Sequence, residues 1–62
     1  AKSLYPEAIK LYFEALKVYQ DIDDKIGISR VYGSLGISYR DQKLYDRALE
    51  YYNKSISINK GA

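Results

Sequence analysis

The 62-residue sequence contains no histidine, cysteine, methionine or tryptophan. Without histidine and cysteine it lacks the commonest general base, the thiol nucleophile and two of the ligands that zinc prefers. We therefore expect no enzyme activity, no metal site and no cofactor. The lack of cysteine also excludes disulfide bonds, which favours an intracellular, cytoplasmic location.

An excess of charge of one sign and a long apolar run are lacking as well. Ten Lys and Arg residues against eight Asp and Glu residues give a net charge of +2, and the two signs are interspersed along the chain. Proteins that bind nucleic acid usually concentrate basic residues in one patch. No apolar run approaches the ~20 residues that a membrane-spanning helix needs. We therefore expect protein partners, with no nucleic acid and no membrane.

Tyrosine is abundant, with eight tyrosines against one phenylalanine. The tyrosines belong to three stretches in which apolar residues recur at steps of three and four, which predicts helices over residues 5–19, 24–40 and 45–58. Connections of only a few residues make successive helices antiparallel. The sequence therefore predicts one all-α domain over residues 1–62, in which two helical hairpins share the middle helix.

The first and last of these helices share one pattern at a shift of 40 residues. The residues that are identical at this shift are Leu4, Tyr5, Ala8 and Tyr12 in the first copy and Leu44, Tyr45, Ala48 and Tyr52 in the second. Self-similarity at a fixed period of this size is typical of repeat architectures, in which each unit buries an apolar face against its neighbour.

A second pattern of small and aromatic residues runs through the middle and last helices. It consists of Tyr32-x-x-Leu35-Gly36-x-x-Tyr39, followed by Ala48 and Tyr52. This pattern resembles the tetratricopeptide repeat, with tyrosine in place of the usual tryptophan and phenylalanine. Residues 29–62 then match one complete repeat of about 34 residues, and residues 4–19 resemble the second helix of a preceding repeat. The resemblance implies about one and a half repeats of a longer, 40-residue variety.

The resemblance implies a fold and a function. The fold is a right-handed superhelix of antiparallel helical hairpins, and the function is that of a protein–protein interaction scaffold. Gly36 and Ala48 would let two helices approach closely. The family usually has Gly-Asp where this chain has Lys43-Leu44, so a non-glycine residue there would strain the turn by about 1 kcal/mol. Asp23 or Asp24 is positioned to cap the middle helix.

In this family the first helix of each repeat lines a groove that binds a partner peptide or helix. The corresponding residues of the middle helix are Arg30, Gly33, Ser34, Ile37, Arg40 and Asp41. The two arginines can hold a carboxylate, Ser34 can bond a peptide backbone, and Ile37 can contact an apolar side chain. The alternative is that these residues form an ordinary solvated helix surface.

Self-association is a further prediction. The chain begins with Ala1 rather than Met, so we expect a processed or excised piece whose first helix lacks its preceding neighbour. Leu11 and Phe13 add apolar surface to that helix, and a homodimer or a domain-swapped pair would cover it. The alternatives are a stable monomer, or a fragment whose natural neighbour lies elsewhere in the parent protein.

A second functional class stays open at this point. Related two-helix repeats bind single-stranded RNA, and this chain is rich in tyrosine and slightly basic. An RNA-binding helical repeat is therefore the alternative to a protein-interaction module. The sequence leaves the identity of the partner, the parent protein and the oligomeric state undetermined.

Overall fold

The computed structural model describes residues 4–61 of the chain, and the side chains of residues 5–60. Three helices span this region: α1 (Leu4–Asp21), α2 (Lys25–Asp41) and α3 (Tyr45–Gly61). Residues 4–61 contain no strand, which confirms the all-α class and the three helices. Each helix ends slightly later than its apolar stripe predicts, because the helical backbone continues through polar residues that the stripe does not include.

The two turns that join the helices are built in the same way. Asp23 and Lys43 both have positive φ angles, 56° and 66°. In each turn the next backbone N–H bonds back to a tyrosine carbonyl, from Asp24 to Tyr19 and from Leu44 to Tyr39, both at 2.9 Å. This bond and the left-handed residue before it form a Schellman-type helix end, where glycine is usual. Lys43 therefore adopts the left-handed conformation for which the family uses glycine, and the strain expected there stays a prediction.

Asp24 begins the second helical hairpin as the N-cap of α2. Its backbone is extended, with φ −90° and ψ 92°, and its Oδ1 accepts a hydrogen bond from the N–H of Gly27 at 3.1 Å. An aspartate cap satisfies one of the free N–H groups of the first turn and interacts favourably with the helix dipole. The sequence predicted that this helix begins at Asp24, whereas Asp24 is its N-cap and the helix itself begins at Lys25.

The core lies where α2 packs against both of its neighbours. Its buried apolar residues come from all three helices, and they are Leu16, Val31, Leu35, Tyr39 and Ala48. Leu35 is the most deeply buried of them, with no exposed surface. Partly buried tyrosines and isoleucines surround this cluster. The middle helix thus carries most of the core, and its two neighbours cover it from different sides.

Two glycines allow α2 to approach these neighbours closely. A methyl group at Gly36 would lie 2.7 Å from Cδ1 of Tyr52 in α3, and one at Gly27 would lie 2.5 Å from Cδ1 of Tyr19 in α1. Both distances are shorter than a normal carbon–carbon contact of about 3.5 Å. The close approach predicted for Gly36 is confirmed, whereas the one at Gly27 was not predicted.

A polar cluster also fixes the position of α2 on α3. The buried Ser29 hydroxyl donates to Oδ1 of Asn59 at 3.0 Å, and the Ser55 hydroxyl donates to the carbonyl of Ser29 at 3.1 Å. The two hydroxyl oxygens are 3.0 Å apart. Buried polar groups need such partners, so sliding α3 along α2 would leave them unsatisfied. The cluster therefore sets the register of the second hairpin.

Candidate interaction surface

One face of α2 points away from the buried residues of this helix. We call it the open face of α2 and define it by Ile26, Arg30, Gly33 and Ile37, which follow each other at steps of four, three and four residues. This spacing places them in one row along the helix. Ile26 is 68% exposed and Ile37 is 47% exposed, so both apolar side chains are accessible to a partner.

The shape of the open face follows from its sequence. The two isoleucines are about 16 Å apart along the helix axis, since α-helices rise ~1.5 Å per residue. Gly33 lies between them, and a methyl group there would come no nearer than 4.0 Å to Ser55 Oγ. The missing side chain leaves a shallow depression with an apolar side chain near each end.

The structure does not bring all six predicted groove residues into this row. Arg30, Gly33 and Ile37 lie in it. Ser34, which is half-buried, and Asp41, which is exposed, lie at the edge that faces α1, while Arg40 lies at the opposite edge. Ile26 was missed, although its spacing from Arg30 and Ile37 would have identified it.

The charges on this side of α2 are partly neutralised. The Arg40 Nη2 atom lies 3.6 Å from Asp41 Oδ1, and both side chains are about half exposed, at 56% and 45%. An exposed pair of this kind contributes little stability, but it reduces the attraction of Arg40 for a carboxylate on a partner. Arg30 forms no ion pair within residues 4–61, so it is the better placed of the two arginines.

The tyrosines of α2 point away from the open face. The rings of Tyr32 and Tyr39 pack on Tyr51 of α3, with centroids 5.9 Å and 5.5 Å apart. Lys54 covers the Tyr32 ring at 5.7 Å and Arg47 covers the Tyr39 ring at 5.8 Å. Burial, together with the nearby Tyr39 and Glu50, raises the pKa of Tyr51 above its usual value. These aromatic groups are part of the packing.

Leu11 and Phe13 do not form a common patch on α1. Residues two apart point to different sides of a helix. Phe13 packs edge-on against Tyr51, with ring centroids 6.2 Å apart. Leu11 lies on another face of α1 with Val18, and it is 61% exposed. Self-association through α1 stays a prediction, and the Leu11 side is the more accessible one, since Phe13 is only 39% exposed.

Two other features bear on the possible class of function. Within the described residues, no three histidine, cysteine, aspartate or glutamate side chains are grouped so that they could hold a metal ion. Among the helices of residues 4–61, none combines the length and the apolar character that crossing a membrane requires.

Two helical hairpins that share α2, each packed through a glycine–tyrosine contact, together with a pattern that recurs after 40 residues, are typical of a helical-repeat protein. A family model described as tetratricopeptide repeat matches residues 1–61. The chain therefore belongs to the tetratricopeptide repeat family, and the resemblance found in the sequence is confirmed. Membership of this family supports a role as a protein-interaction scaffold.

Two curated proteins are similar to the chain. An uncharacterized protein, ycf37, from Guillardia theta is 38% identical over 56 residues, which cover 90% of this chain and 31% of that protein. Photosystem I assembly protein Ycf3 from Rippkaea orientalis is 38% identical over 55 residues, which cover 89% of this chain and 30% of that protein. The chain thus spans about three tenths of the length of these relatives. No solved structure matches it.

Proposed function

We propose that this chain is a non-enzymatic protein-interaction module, and that it binds a peptide or helix of a partner protein through the open face of α2. The observation that supports this most directly is the accessible row of Ile26, Arg30, Gly33 and Ile37 on the side of α2 away from the core. Accessible apolar side chains beside a charged group are typical of a surface that recognises a polypeptide.

Each residue of the open face has a defined role in this proposal. Ile26 and Ile37 contact apolar side chains of the partner, and each contributes up to about 1.5–3 kcal/mol when fully buried. Arg30 pairs with a carboxylate through its fork of N–H donors. Gly33 lets the partner backbone approach α2. The preferred ligand is a segment with two apolar residues about 16 Å apart and an acidic residue between them.

The comparison with Photosystem I assembly protein Ycf3 suggests the setting. That relative is named for the assembly of a complex, and by analogy we propose that this chain holds a protein chain during the assembly of a larger complex. The components of that complex are not specified by the similarity. The cytoplasmic location expected from the lack of cysteine likewise stays a prediction.

The geometry favours a protein partner over RNA. Base stacking on aromatic side chains is the usual basis of single-strand recognition. Tyr32 and Tyr39 are instead packed against Tyr51, beneath Lys54 and Arg47. The open face of α2 carries no aromatic residue on which a base could stack.

The proposal is tested with peptides selected from a random display library against the immobilised chain. We expect the substitution Ile37→Ala to weaken binding of the selected peptides by about tenfold or more, since ~1.4 kcal/mol corresponds to a factor of ten. The matched control is Ile22→Ala, which removes the same atoms from an exposed isoleucine in the turn between α1 and α2 and should leave binding unchanged. Single-stranded RNA of random sequence serves as a second ligand and should not bind.

Two results contradict the proposal. One is a set of peptides that bind the Ile37→Ala chain as well as the original. The other is RNA binding that weakens steeply with salt, because such a dependence shows that phosphate contacts dominate.

A further inference from the structure

Tyrosine is the only kind of readily oxidised side chain in this sequence. Cysteine, methionine, tryptophan and histidine are the other side chains that oxidants attack most readily, and the chain contains none of them. Its eight tyrosines are therefore the side chains from which a one-electron oxidant removes an electron most easily. The packing of their rings decides which of them react together.

Three of the tyrosines form a cluster on the side of α2 away from its open face. We call it the tyrosine cluster and define it by Tyr32, Tyr39 and Tyr51. The ring centroids are 5.9 Å apart for Tyr32 and Tyr51, and 5.5 Å apart for Tyr39 and Tyr51. Packed aromatic rings have centroids about 4.5–7 Å apart. Tyr51 therefore contacts both of its neighbours.

The two contacts of Tyr51 differ in geometry. The Tyr39 and Tyr51 rings are nearly parallel, at an angle of 13°. Rings in full face-to-face contact are separated by about 3.5 Å, so the longer centroid distance of 5.5 Å means that these rings are displaced sideways and meet at their edges. The Tyr32 ring is more inclined to Tyr51, at 32°. Tyr39 is therefore the better placed partner for a bond between ring edges.

The surroundings of the cluster favour a reaction within one chain. Tyr51 is half-buried, so an oxidant can reach it from solvent, whereas Tyr39 is only 8% exposed. Arg47 lies over the Tyr39 ring at 5.8 Å, and Lys54 lies over the Tyr32 ring at 5.7 Å. These side chains shield the two rings from a second chain. A radical on Tyr51 is thus in contact with tyrosines of its own chain.

We propose that the tyrosine cluster is a site of oxidative cross-linking, at which a one-electron oxidant joins Tyr51 to Tyr39 as dityrosine. Each phenol gives one electron to the oxidant and its hydroxyl proton to water, which leaves a tyrosyl radical. The two radicals form a bond between one Cε atom of each ring, and the hydrogens on these carbons then move to the phenolic oxygens through water. The chain loses two electrons and two protons in total, and two equivalents of the oxidant are reduced.

The cross-link would join α2 to α3 covalently. A bond between residues 39 and 51 closes a loop and restricts the unfolded chain in the way that a disulfide does. We therefore expect the cross-linked chain to melt at least about 5 °C above the original. Peptide binding by the open face of α2 should be unchanged, because the cluster lies on another side of that helix. The cross-link therefore does not depend on the proposed function.

The test oxidises the chain with a ruthenium tris-bipyridyl complex, which light and persulfate convert to a one-electron oxidant. The fluorescence of dityrosine and the mass of the monomeric product, which falls by two hydrogen atoms, report the cross-link. Tyr51→Phe and Tyr39→Phe should each abolish it, whereas the matched control Tyr32→Phe should retain it. Phenylalanine keeps the packed ring, and circular dichroism checks that each variant folds.

A tryptic digest of the oxidised original chain locates the bond without any substitution. Trypsin cleaves after lysine and arginine, so Tyr39 lies in the peptide 31–40 and Tyr51 in the peptide 48–54. We expect these two peptides to be linked. Each also contains a second tyrosine, so fragmentation of the linked pair by mass spectrometry identifies the joined residues.

Three outcomes would overturn the proposal. The first is dityrosine that forms as readily in Tyr51→Phe or Tyr39→Phe as in the original chain. The second is dityrosine found only in covalent dimers, because exposed rings such as Tyr45 would then react between chains. The third is a folded chain that is oxidised at its tyrosines without forming dityrosine. Peptide binding measured on the same samples is a separate result, so the two proposals fail independently.

Discussion

Helices α1 and α3 carry one sequence pattern, yet they bury different, overlapping parts of it. Leu16 in α1 is buried against α2, whereas its counterpart Ile56 in α3 is exposed. The reverse holds for the next pair, since Leu11 is exposed and its counterpart Tyr51 is packed among the rings of α2. The pattern therefore specifies two apolar sides on each outer helix, and the position of α2 decides which of them is covered.

This difference explains why α1 and α3 both carry exposed apolar side chains. A helix that packs against a single neighbour needs one apolar stripe. Both outer helices carry a second apolar stripe, which includes Leu11 and Val18 in α1 and Leu49 and Ile56 in α3. The exposed stripes are thus the same surfaces that are buried elsewhere in the molecule, and they are not random apolar exposure.

The largest difference between α1 and α3 is expected when the equivalent side chains of Leu16 and Ile56 are each shortened to alanine. Leu16→Ala should lower the free energy of unfolding by about 2–4 kcal/mol, because it removes buried atoms and leaves a cavity. Ile56→Ala should cost less than about 1 kcal/mol, since that side chain is already largely in water. Urea denaturation followed by circular dichroism measures both values. Equal costs would mean that the two helices are not covered differently.

The glycines of α2 offer a second contrast, between a packed and an open side of the same helix. Gly36→Ala should destabilise the chain by about 1–3 kcal/mol, because its methyl group would collide with the Tyr52 ring. Gly33→Ala should stabilise it by up to about 1 kcal/mol, since alanine favours the helix and the site has room. Thermal melts of the two variants measure both changes in stability. If Gly36→Ala stabilised the chain, the close contact between Gly36 and the Tyr52 ring would be wrong.

The two turns can be compared in the same way. Lys43→Gly should stabilise the chain by about 1 kcal/mol, because glycine adopts a positive φ without strain. Asp23→Gly should gain less, since aspartate tolerates this conformation better than lysine does. Parallel denaturation curves of the two variants test the order. A loss of stability at Lys43→Gly would show that the left-handed turn is not strained.

The smallest expected effect concerns pH and the ring of Tyr51. Its pKa is raised, chiefly by burial, so the folded chain holds the phenolic proton more tightly than the unfolded chain, whose tyrosines titrate near ~10. Deprotonation then favours unfolding, and this contribution to stability is present below about pH 10 and lost above it. Between about pH 9 and pH 11, a range that spans the ordinary tyrosine pKa of about 10, the thermal midpoint of Tyr51→Phe should fall less than that of the original chain. An identical fall in both chains would exclude this role.

Much of the fold could be predicted from the sequence because it depends on local spacing. Steps of three and four residues predicted the helices, a lysine in place of glycine indicated strain at position 43, and Gly36 on an apolar stripe indicated close packing. These features need only the residue itself and its neighbours along one helix.

The remaining features depend on which helices meet. The contact of Gly27 with Tyr19, the polar cluster around Ser29 and the packing of Phe13 on Tyr51 each join residues from two helices. A stripe indicates that a face is apolar without indicating what covers it. For the same reason the sequence grouped Leu11 with Phe13, although they lie on different sides of α1.

The central claim is that α2 is held between two copies of one pattern through different faces. Proton NMR tests this directly through the α-protons of the α2 glycines. We predict cross-relaxation between the α-protons of Gly27 and the Tyr19 ring, and between those of Gly36 and the Tyr52 ring. Ring currents should also shift the resonances of these α-protons, whereas those of Gly33 should be unaffected. Contacts of both glycines with tyrosines of a single helix, or of Gly33 with either ring, would contradict the claim.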